Sequence, residues 1–298
     1  MPGVSIASAQ VRPAPSPVSV ARDLLLLAKP RLSGLVMLTC AGGMWLAPGR
    51  IGVARALLAV LSTAAVVGAA NALNCYLERD VDARMRRTRD RPLPAGRVDP
   101  FVALGLGLAV PAFALPLLAL SANGLTAFLA LVALVTYVLV YTPMKTRSSL
   151  ALFVGAMPGA IPPLMGWTAV TGRLDPGGMG LFALLFAWQL PHFLSISLYL
   201  REDYARGGIR TFALVHGEPA TRRWIAFFTA VLVPVSLLLV PLGVAGRGYG
   251  LAAAVLGAGL ALQAARGLGR EGGGWARSLF LSTLAYLTAL FVALFLSR

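Results

Sequence analysis

The stretch FVALGLGLAVPAFALPLLAL, residues 101–120, is a run of twenty residues without a charged side chain. Crossing the hydrocarbon core of a bilayer takes about 20 apolar residues in an α-helix. Eight other apolar stretches surround it, separated by charged or Gly- and Pro-rich breaks. The nine stretches are residues 32–47, 56–77, 101–120, 124–141, 149–170, 180–200, 224–244, 249–265 and 278–296. Because lipid cannot satisfy exposed backbone donors and acceptors, each is predicted to be a membrane-spanning helix.

The composition of the whole chain agrees with an all-α, polytopic membrane protein. Of its 298 residues, 58% are hydrophobic and only 12% are charged, and the mean hydropathy is +0.78. Soluble domains carry about 25% charged residues, so an ordinary cytosolic enzyme and a disordered chain are excluded. The two cysteines, Cys40 and Cys75, lie in apolar stretches and form no CxxC pair. This usage excludes a disulfide scaffold and a Cys-rich metal site.

Positive charge predicts the orientation of the bundle. The formal net charge of +15 would suggest nucleic-acid binding in a soluble chain, but in membrane proteins Lys and Arg accumulate in cytoplasmic loops. With a cytoplasmic N-terminus, 21 of the 26 Lys and Arg residues fall on the cytoplasmic side of nine spans. The sequence therefore predicts a multi-pass protein of a bacterial inner membrane that binds no nucleic acid.

The N-terminal segment, residues 1–22, is predicted to be a flexible tail. It contains Pro13, Pro15 and Pro17 and has no apolar region of the kind found in cleaved signal peptides. The rest of the chain, residues 23–298, is predicted to form a single membrane-embedded domain.

A polar motif with the pattern N-x-x-x-E-x-x-x-D ends the second apolar stretch. If the helix continues into the interface, Asn74, Glu78 and Asp82 lie on one stripe about 12 Å long. Asp80 points to a different face. An amide and two carboxylates are hard oxygen ligands that suit Mg²⁺, which also binds phosphate oxygens. The alternative is that these acids only neutralise the arginines nearby.

Candidate phosphate-binding side chains follow this motif. The next loop is rich in arginine, and Arg84, Arg87 and Arg91 could each contact a phosphate in bidentate fashion. The alternative is that these arginines serve membrane topology or contact anionic lipid headgroups. Tyr141 and Lys145, at the inner end of the fourth stretch, could also meet a diphosphate. The alternative for Lys145 is a side chain that extends to the membrane interface.

A second acidic group and a histidine lie near the end of the sixth stretch. Arg201, Glu202 and Asp203 fall on the same membrane side as the first motif. His192 lies about 16 Å from Asp203 along a continuous helix, and an ionisable group inside a membrane span is a functional candidate. The alternative for His192 is a structural side chain bonded to a neighbouring helix. His216, in a charged loop, is predicted to be structural or solvated.

Two acidic groups and a lysine at cytoplasmic helix ends favour a site for a diphosphate with an apolar tail. A polyprenyl diphosphate has this chemistry, because its head would lie with Mg²⁺ at the interface and its chain would lie among the helices. The alternative from another class is a transporter, whose polar residues would instead tend to lie near the bilayer midplane.

The first motif resembles the Asp-rich motif N-x-x-x-[DE]-x-x-x-D of the UbiA-type intramembrane prenyltransferases, which have nine helices. Five more segments resemble the branch of that superfamily that farnesylates haem. They are RTRDRPL, YTPMK, GAMPGAIPPLMGW, WQLPHF and REDYARGGI, which begin at residues 87, 141, 155, 188 and 201. Two features depart from the superfamily pattern. Tyr199 and Gly207 flank Asp203 where a second D-x-x-x-D motif is common, and Glu78 stands where many members have Asp.

The resemblance implies an enzyme that transfers farnesyl from farnesyl diphosphate to a vinyl group of haem B, which gives haem O. Haem is then a substrate and not a prosthetic group, and Mg²⁺ is the implied cofactor. The implied metal ligands are Asn74, Glu78, Asp82 and Asp203. Together with Lys145 they form the implied catalytic set, which stabilises charge on the leaving diphosphate.

The implied substrate-binding residues are Arg84, Arg87, Arg91, Tyr141, His192, Arg201 and Glu202, and His192 would contact the haem iron or a propionate. The expected partners are the two substrates, the lipid bilayer and a downstream haem-modifying enzyme or oxidase assembly. The alternative within the superfamily is a prenyltransferase that acts on an aromatic or quinone precursor.

Overall fold

The computed structural model describes residues 17–269 and 273–297, and these two ranges are helical and contain no β-strand. The helices are α1 Pro17–Leu27, α2 Pro30–Leu46, α3 Val53–Arg84, α4 Pro100–Ser121, α5 Gly124–Val135, α6 Thr142–Met144, α7 Ala151–Thr171, α8 Pro176–Tyr199, α9 Arg201–Gly207, α10 Phe212–Leu237, α11 Arg247–Arg266 and α12 Gly273–Leu296. A π-helical segment, Thr136–Tyr141, joins α5 to α6, and a 3-10 turn, Gly267–Gly269, follows α11. The predicted all-α class is confirmed.

Seven helical segments in the described ranges are long and apolar enough to cross a membrane. They are α3, α4, α5 with its continuation to Met144, α8, α10, α11 with its 3-10 turn, and α12. Helices α1 and α2 form an eighth candidate, a pair that bends by 54° at the break between them. The chain is therefore a polytopic membrane protein, as predicted.

The fifth predicted stretch forms α7, which lies inside the bundle. Its three prolines, Pro158, Pro162 and Pro163, reduce its hydropathy, and all three are buried. Helix α7 packs against α2, α5 and α8. Proline is tolerated in such a helix when neighbouring helices satisfy the freed backbone groups.

Glycine allows α2 and α7 to approach each other closely. A Cβ atom on Gly43 would lie 2.0 Å from the carbonyl oxygen of Pro163, and one on Gly166 would lie 1.8 Å from that of Cys40. Small residues let helix backbones pack at short range in a bilayer, where association depends on van der Waals contact. This contact closes one side of the bundle.

Helix α3 carries the predicted metal motif. It has 32 residues, which makes it about 48 Å long. That length exceeds the hydrocarbon thickness of about 30 Å, so its last turns extend past the apolar stretch. Asn74, Glu78 and Asp82 are all buried on one side of this helix, whereas the side chain of Asp80 is 85% exposed. The predicted one-face arrangement is confirmed.

Two details of the backbone differ from the sequence predictions. Helix α8 ends at Tyr199, and Leu200 leaves the helical conformation with φ −105° and ψ 23°, so the helix between His192 and Asp203 is not continuous. Residues 1–16 of the predicted tail lie outside the described residues. The predicted boundary at residue 22 falls inside α1.

Candidate active site

A cavity of about 850 Å³ lies where the C-terminal end of α3 meets the α1–α2 break, the segment after α6, and helix α8. Seven of the twelve predicted site residues line it: Glu78, Asp82, Arg87, Arg91, Tyr141, Lys145 and His192. Three basic residues that the sequence did not single out also line it: Lys29, Arg31 and Arg210. With six cationic side chains against two carboxylates, the cavity favours an anionic ligand.

The motif on α3 is held by cationic side chains from other segments. The Nζ atom of Lys145 lies 2.7 Å from Oε1 of Glu78, and a guanidinium nitrogen of Arg91 lies 2.7 Å from Oδ2 of Asp82. The pairing of Asp82 with Arg91 agrees with the alternative that the acids neutralise nearby arginines. Both pairs nevertheless lie on the cavity wall. The oxygens of a diphosphate bound there could replace the two carboxylates as partners of Lys145 and Arg91.

Lys145 lines the cavity, and its charged end contacts other side chains. Its side chain is 18% exposed, and Nζ lies 4.5 Å from the centre of the Tyr141 ring. Burial alone would lower the pKa of Lys145, but its interactions with Tyr141 and Glu78 outweigh burial and hold the pKa above its ordinary value. The side chain is therefore a permanent cation in the cavity.

Lys29 is the functional candidate that the sequence reasoning missed. It lies at the α1–α2 break with φ 49°, the only positive φ among the described non-glycine residues, and such strained backbone is often found at functional sites. Its Nζ donates a hydrogen bond to Oδ1 of Asn74, whose Nδ2 donates in turn to Oγ1 of Thr142 at 3.0 Å. The only sign of Lys29 in the sequence was a Lys-Pro pair ahead of an apolar stretch. Its hydrogen-bond partner, Asn74, lies 45 residues away.

Asp203 lies beside the cavity wall between Met85 and Tyr204. Its Oδ1 accepts hydrogen bonds from the backbone N–H of Arg86 at 2.8 Å and from Arg206 at 3.2 Å. Burial raises the pKa of Asp203, but these hydrogen bonds outweigh it and hold the pKa below its usual value. Its Oδ2 is buried without a hydrogen-bond partner among the described residues, although the backbone N–H of Arg87 also helps to lower the pKa of Asp203.

The candidate ligands are oxygen atoms of the kind that bind a hard divalent cation such as Mg²⁺. The candidate ligands are an amide oxygen and three carboxylates, and the buried Oδ2 of Asp203 has no partner among the described residues. Within the described ranges, no three His, Cys, Asp or Glu side chains converge on one point as a finished metal site would. Mg²⁺ is commonly bound by one or two carboxylates together with substrate phosphates, so such convergence is not required.

Asn74 and three predicted substrate contacts do not line this cavity. Asn74 is fully buried behind the wall, between Lys29 and Thr142. Arg84, Arg201 and Glu202 are exposed residues that do not line the cavity. Sequence proximity to the motifs suggested them, but position along a helix decides which side chains point inward.

His192 both lines the cavity and contacts a neighbouring helix. Its Nδ1 lies 2.8 Å from Oγ1 of Thr283 on α12, and its ring stacks with the rings of Trp188 and Phe280 at centroid distances of 4.6 and 4.7 Å. His192 therefore makes the bond to a neighbouring helix that the structural alternative predicted. It also lines the cavity, as a substrate-binding residue would. His216 is exposed and hydrogen-bonds Oγ of Ser149 at 3.0 Å, which fits the structural role predicted for it.

A second, mostly apolar cavity of about 250 Å³ adjoins the first. Leu32, Tyr141 and Phe193 line both cavities. It continues between α2, α3, α5 and α7, so an apolar chain whose polar head lies among the cations has a path into the bundle.

The sequence matches the UbiA prenyltransferase family over residues 35–294. It is 74% identical over 295 residues to a protoheme IX farnesyltransferase of Anaeromyxobacter dehalogenans, which covers 99% of this chain and 100% of the relative. It is 52% identical to the protoheme IX farnesyltransferase of Myxococcus xanthus, over 94% of this chain and 96% of the relative.

Solved structures of low sequence identity share the fold. A digeranylgeranylglyceryl phosphate synthase structure matches with a TM-score of 0.80 and 16% identity, over 93% of this chain and 98% of the other. A UbiA homologue from Archaeoglobus fulgidus bound to GPP and Mg²⁺ matches with a TM-score of 0.66 and 15% identity, over 91% and 99% of the two chains.

Proposed function

The chain belongs to the UbiA prenyltransferase family, and we propose that it transfers farnesyl from farnesyl diphosphate to a vinyl group of haem B, which gives haem O. One structural observation carries this proposal: a single cavity joins a cation-rich end to a wall that contains His192. The first end suits a diphosphate, and an imidazole suits a haem iron. The relatives named protoheme IX farnesyltransferase, at 74% and 52% identity, support the same pair of substrates.

The diphosphate end uses the residues on and around α3. Lys145, Arg91 and Arg87 would bind the diphosphate oxygens, and Tyr141 positions Lys145 through contact with its ammonium group. Lys29 holds the amide of Asn74 in a fixed orientation through its hydrogen bond. These cations stabilise the negative charge that develops on the leaving group when the allylic C–O bond breaks.

The metal-binding residues in this proposal are Asn74, Glu78, Asp82 and Asp203. Mg²⁺ bound there would supply further electrostatic stabilisation of the leaving diphosphate. The structure of the Archaeoglobus fulgidus UbiA homologue bound to GPP and Mg²⁺ supports a divalent cation in this fold. The buried Oδ2 of Asp203 supports its inclusion in the ligand set.

The bond-forming step needs no strong protein base. The C–O bond breaks heterolytically, the π electrons of the haem vinyl group attack the allylic cation, and water adds to the resulting cation beside the porphyrin. Loss of one proton to solvent leaves a hydroxyethylfarnesyl group. The apolar surroundings of Phe193 and Ile196 on the cavity wall keep water away from the allylic cation before the vinyl group attacks.

The topology proposed is nine membrane-spanning helices with a cytoplasmic N-terminus in a bacterial inner membrane. Helix α7 adds to the eight candidates, because it has 21 residues and packs among the spanning helices. The excess of Lys and Arg in the loops next to α3 and α9 supports a cytoplasmic active site. A downstream haem-modifying enzyme or oxidase assembly would then receive the product.

The test is turnover by the purified protein in detergent with haem B, farnesyl diphosphate and Mg²⁺, with products identified by mass spectrometry. The expected product is haem carrying one added farnesyl group and one added hydroxyl group. A parallel reaction supplies 4-hydroxybenzoate with haem B, and the variant Asp82→Ala serves as the inactive control. Prenylated 4-hydroxybenzoate without any farnesylated haem would contradict the proposal.

A further inference from the structure

Side chains of α8 and α12 pack around the His192 ring. The rings of Trp188 and Phe280 both stack with it, at interplanar angles of 22° and 29°. Thr283 lies at the Nδ1 edge, with its Oγ1 2.8 Å away. His192 also lines the cavity. Because Nδ1 is occupied by Thr283, Nε2 is the ring nitrogen left to face a ligand there, and it has no hydrogen-bond partner among the described residues.

The hydrogen bonds of Thr283 determine which nitrogen of His192 carries the proton. Oγ1 of Thr283 lies 2.7 Å from the carbonyl oxygen of Phe280, which can only accept, so the single hydroxyl proton is donated there. Oγ1 must then accept in its contact with His192, and the proton in that contact comes from Nδ1. Nε2 is left with its lone pair.

Thr283 itself is held firmly in place. Its backbone carbonyl accepts a hydrogen bond from Nε1 of Trp188 at 2.7 Å, and its side chain is fully buried. Trp188 and His192 lie four residues apart on α8, so both contact one residue of α12 from the same helix face.

From this arrangement we propose that Thr283 is a positioning residue that fixes His192 as the Nδ1–H tautomer and presents the Nε2 lone pair to the iron of haem bound in the cavity. The inference rests on the proposed function, in which haem B enters this cavity. Histidines that bind metals are commonly oriented by a hydrogen bond at the other ring nitrogen, and loss of that partner weakens binding. The vinyl group would thereby be held at a fixed place relative to the diphosphate end.

The test is haem titration of purified Thr283→Val, followed by the Soret band, without farnesyl diphosphate. Valine keeps the shape of threonine but cannot accept from Nδ1, so we expect haem affinity to fall about 10-fold to 100-fold with a shifted Soret maximum. Thr283→Ser should restore both. The matched control is Thr288→Val on the same helix, because the hydroxyl of exposed Thr288 donates to the carbonyl of Leu284 and its loss should change neither.

A double variant separates positioning from mere packing. In a His192→Ala background, Thr283→Val should cause no further loss of haem affinity, and farnesyl diphosphate binding should stay unchanged in all variants. An equal loss with and without His192, or a Soret band unaffected by His192→Ala, would overturn the inference. A protein that shows the expected haem binding but makes no farnesylated haem would instead contradict the proposed function alone.

Discussion

At the scale of single residues, the charged end of the cavity is a set of polar pairs between α3 and other segments of the chain. Lys145 pairs with Glu78, Arg91 with Asp82, and Lys29 with Asn74. Removing one partner of a buried charge pair lowers folding stability more than removing both, because the remaining charge is left uncompensated. Each variant below is therefore paired with a control variant or with a second binding measurement.

Asp82→Ala should reduce turnover about 100-fold or more, because it removes a proposed metal ligand whose charge would act on the developing transition state. Asp80→Ala is the matched control: it lies on the same helix, but its side chain is 85% exposed and its loss should change turnover by about twofold at most. The measurement is the rate of haem O formation at saturating substrates. Equal losses in the two variants would contradict the one-face assignment.

Lys145→Met keeps the apolar stem and removes the charge beside Glu78. We expect weaker farnesyl diphosphate binding and slower turnover, because the cation that meets the leaving group is lost, while haem affinity stays the same. The measurement is kcat and KM for farnesyl diphosphate together with a haem titration. Unchanged kinetics at limiting diphosphate would leave Lys145 without a catalytic role.

Lys29→Met should lower kcat more than it raises the KM for farnesyl diphosphate. Its hydrogen bond orients the amide of Asn74, so its loss disturbs the position of a proposed metal ligand without removing that ligand. Asn74→Ala gives the reference, and Lys29→Met in that background should add little further loss. Fully additive losses would show that the two side chains act independently.

At the scale of helices, the contact of α2 with α7 depends on the absence of side chains. Cβ atoms at Gly43 and Gly166 would overlap carbonyl oxygens of the facing helix. Helix α7 also faces the smaller cavity through Gly155 and Gly159. The same helix therefore serves packing on one side and the proposed binding space on the other.

Gly166→Ala should lower the thermal stability of the protein in detergent, because the new Cβ would lie 1.8 Å from the carbonyl oxygen of Cys40. Forcing such atoms apart costs about 1–3 kcal/mol. Gly34→Ala on α2 is the control, because nothing lies within 4 Å of its Cβ position. The measurement is the Tm of both variants, and a Gly166→Ala protein as stable as the Gly34→Ala protein would contradict the packing argument.

At the scale of the whole molecule, charge and cavity lie at the same end of the bundle. The cavity is lined by the segments next to the predicted cytoplasmic loops, including Arg87, Arg91 and Arg210. A cytoplasmic opening would give both anionic substrates access from the inner side of the membrane, where positively charged loops accumulate.

The topology can be tested by labelling introduced cysteines in intact cells with a membrane-impermeant maleimide. Arg173→Cys should react from outside, whereas Arg89→Cys should react only after the membrane is permeabilised. Both native positions have exposed side chains, at 74% and 64%, and the two native cysteines are buried, so the unmodified protein is the blank. The reverse pattern of labelling would overturn the proposed orientation.

The sequence by itself determined the fold class and much of the site. Apolar runs near the length of a membrane span predict helices because lipid leaves the backbone no other way to satisfy its hydrogen bonds. Spacing of four residues places Asn74, Glu78 and Asp82 on one face by helix geometry alone, and the structure agrees. Such local rules depend only on residues near one another in the chain.

Only the tertiary structure decided which distant side chains meet. The pairing of Lys29 with Asn74 spans 45 residues and that of His192 with Thr283 spans 91, and no local pattern encodes either. The break at Leu200 and the outward position of Arg84, Arg201 and Glu202 likewise depend on how helices pack. Hydrogen bonds and charge pairs between helices form where packing brings the side chains together, and in a single sequence that arrangement leaves no periodic signal.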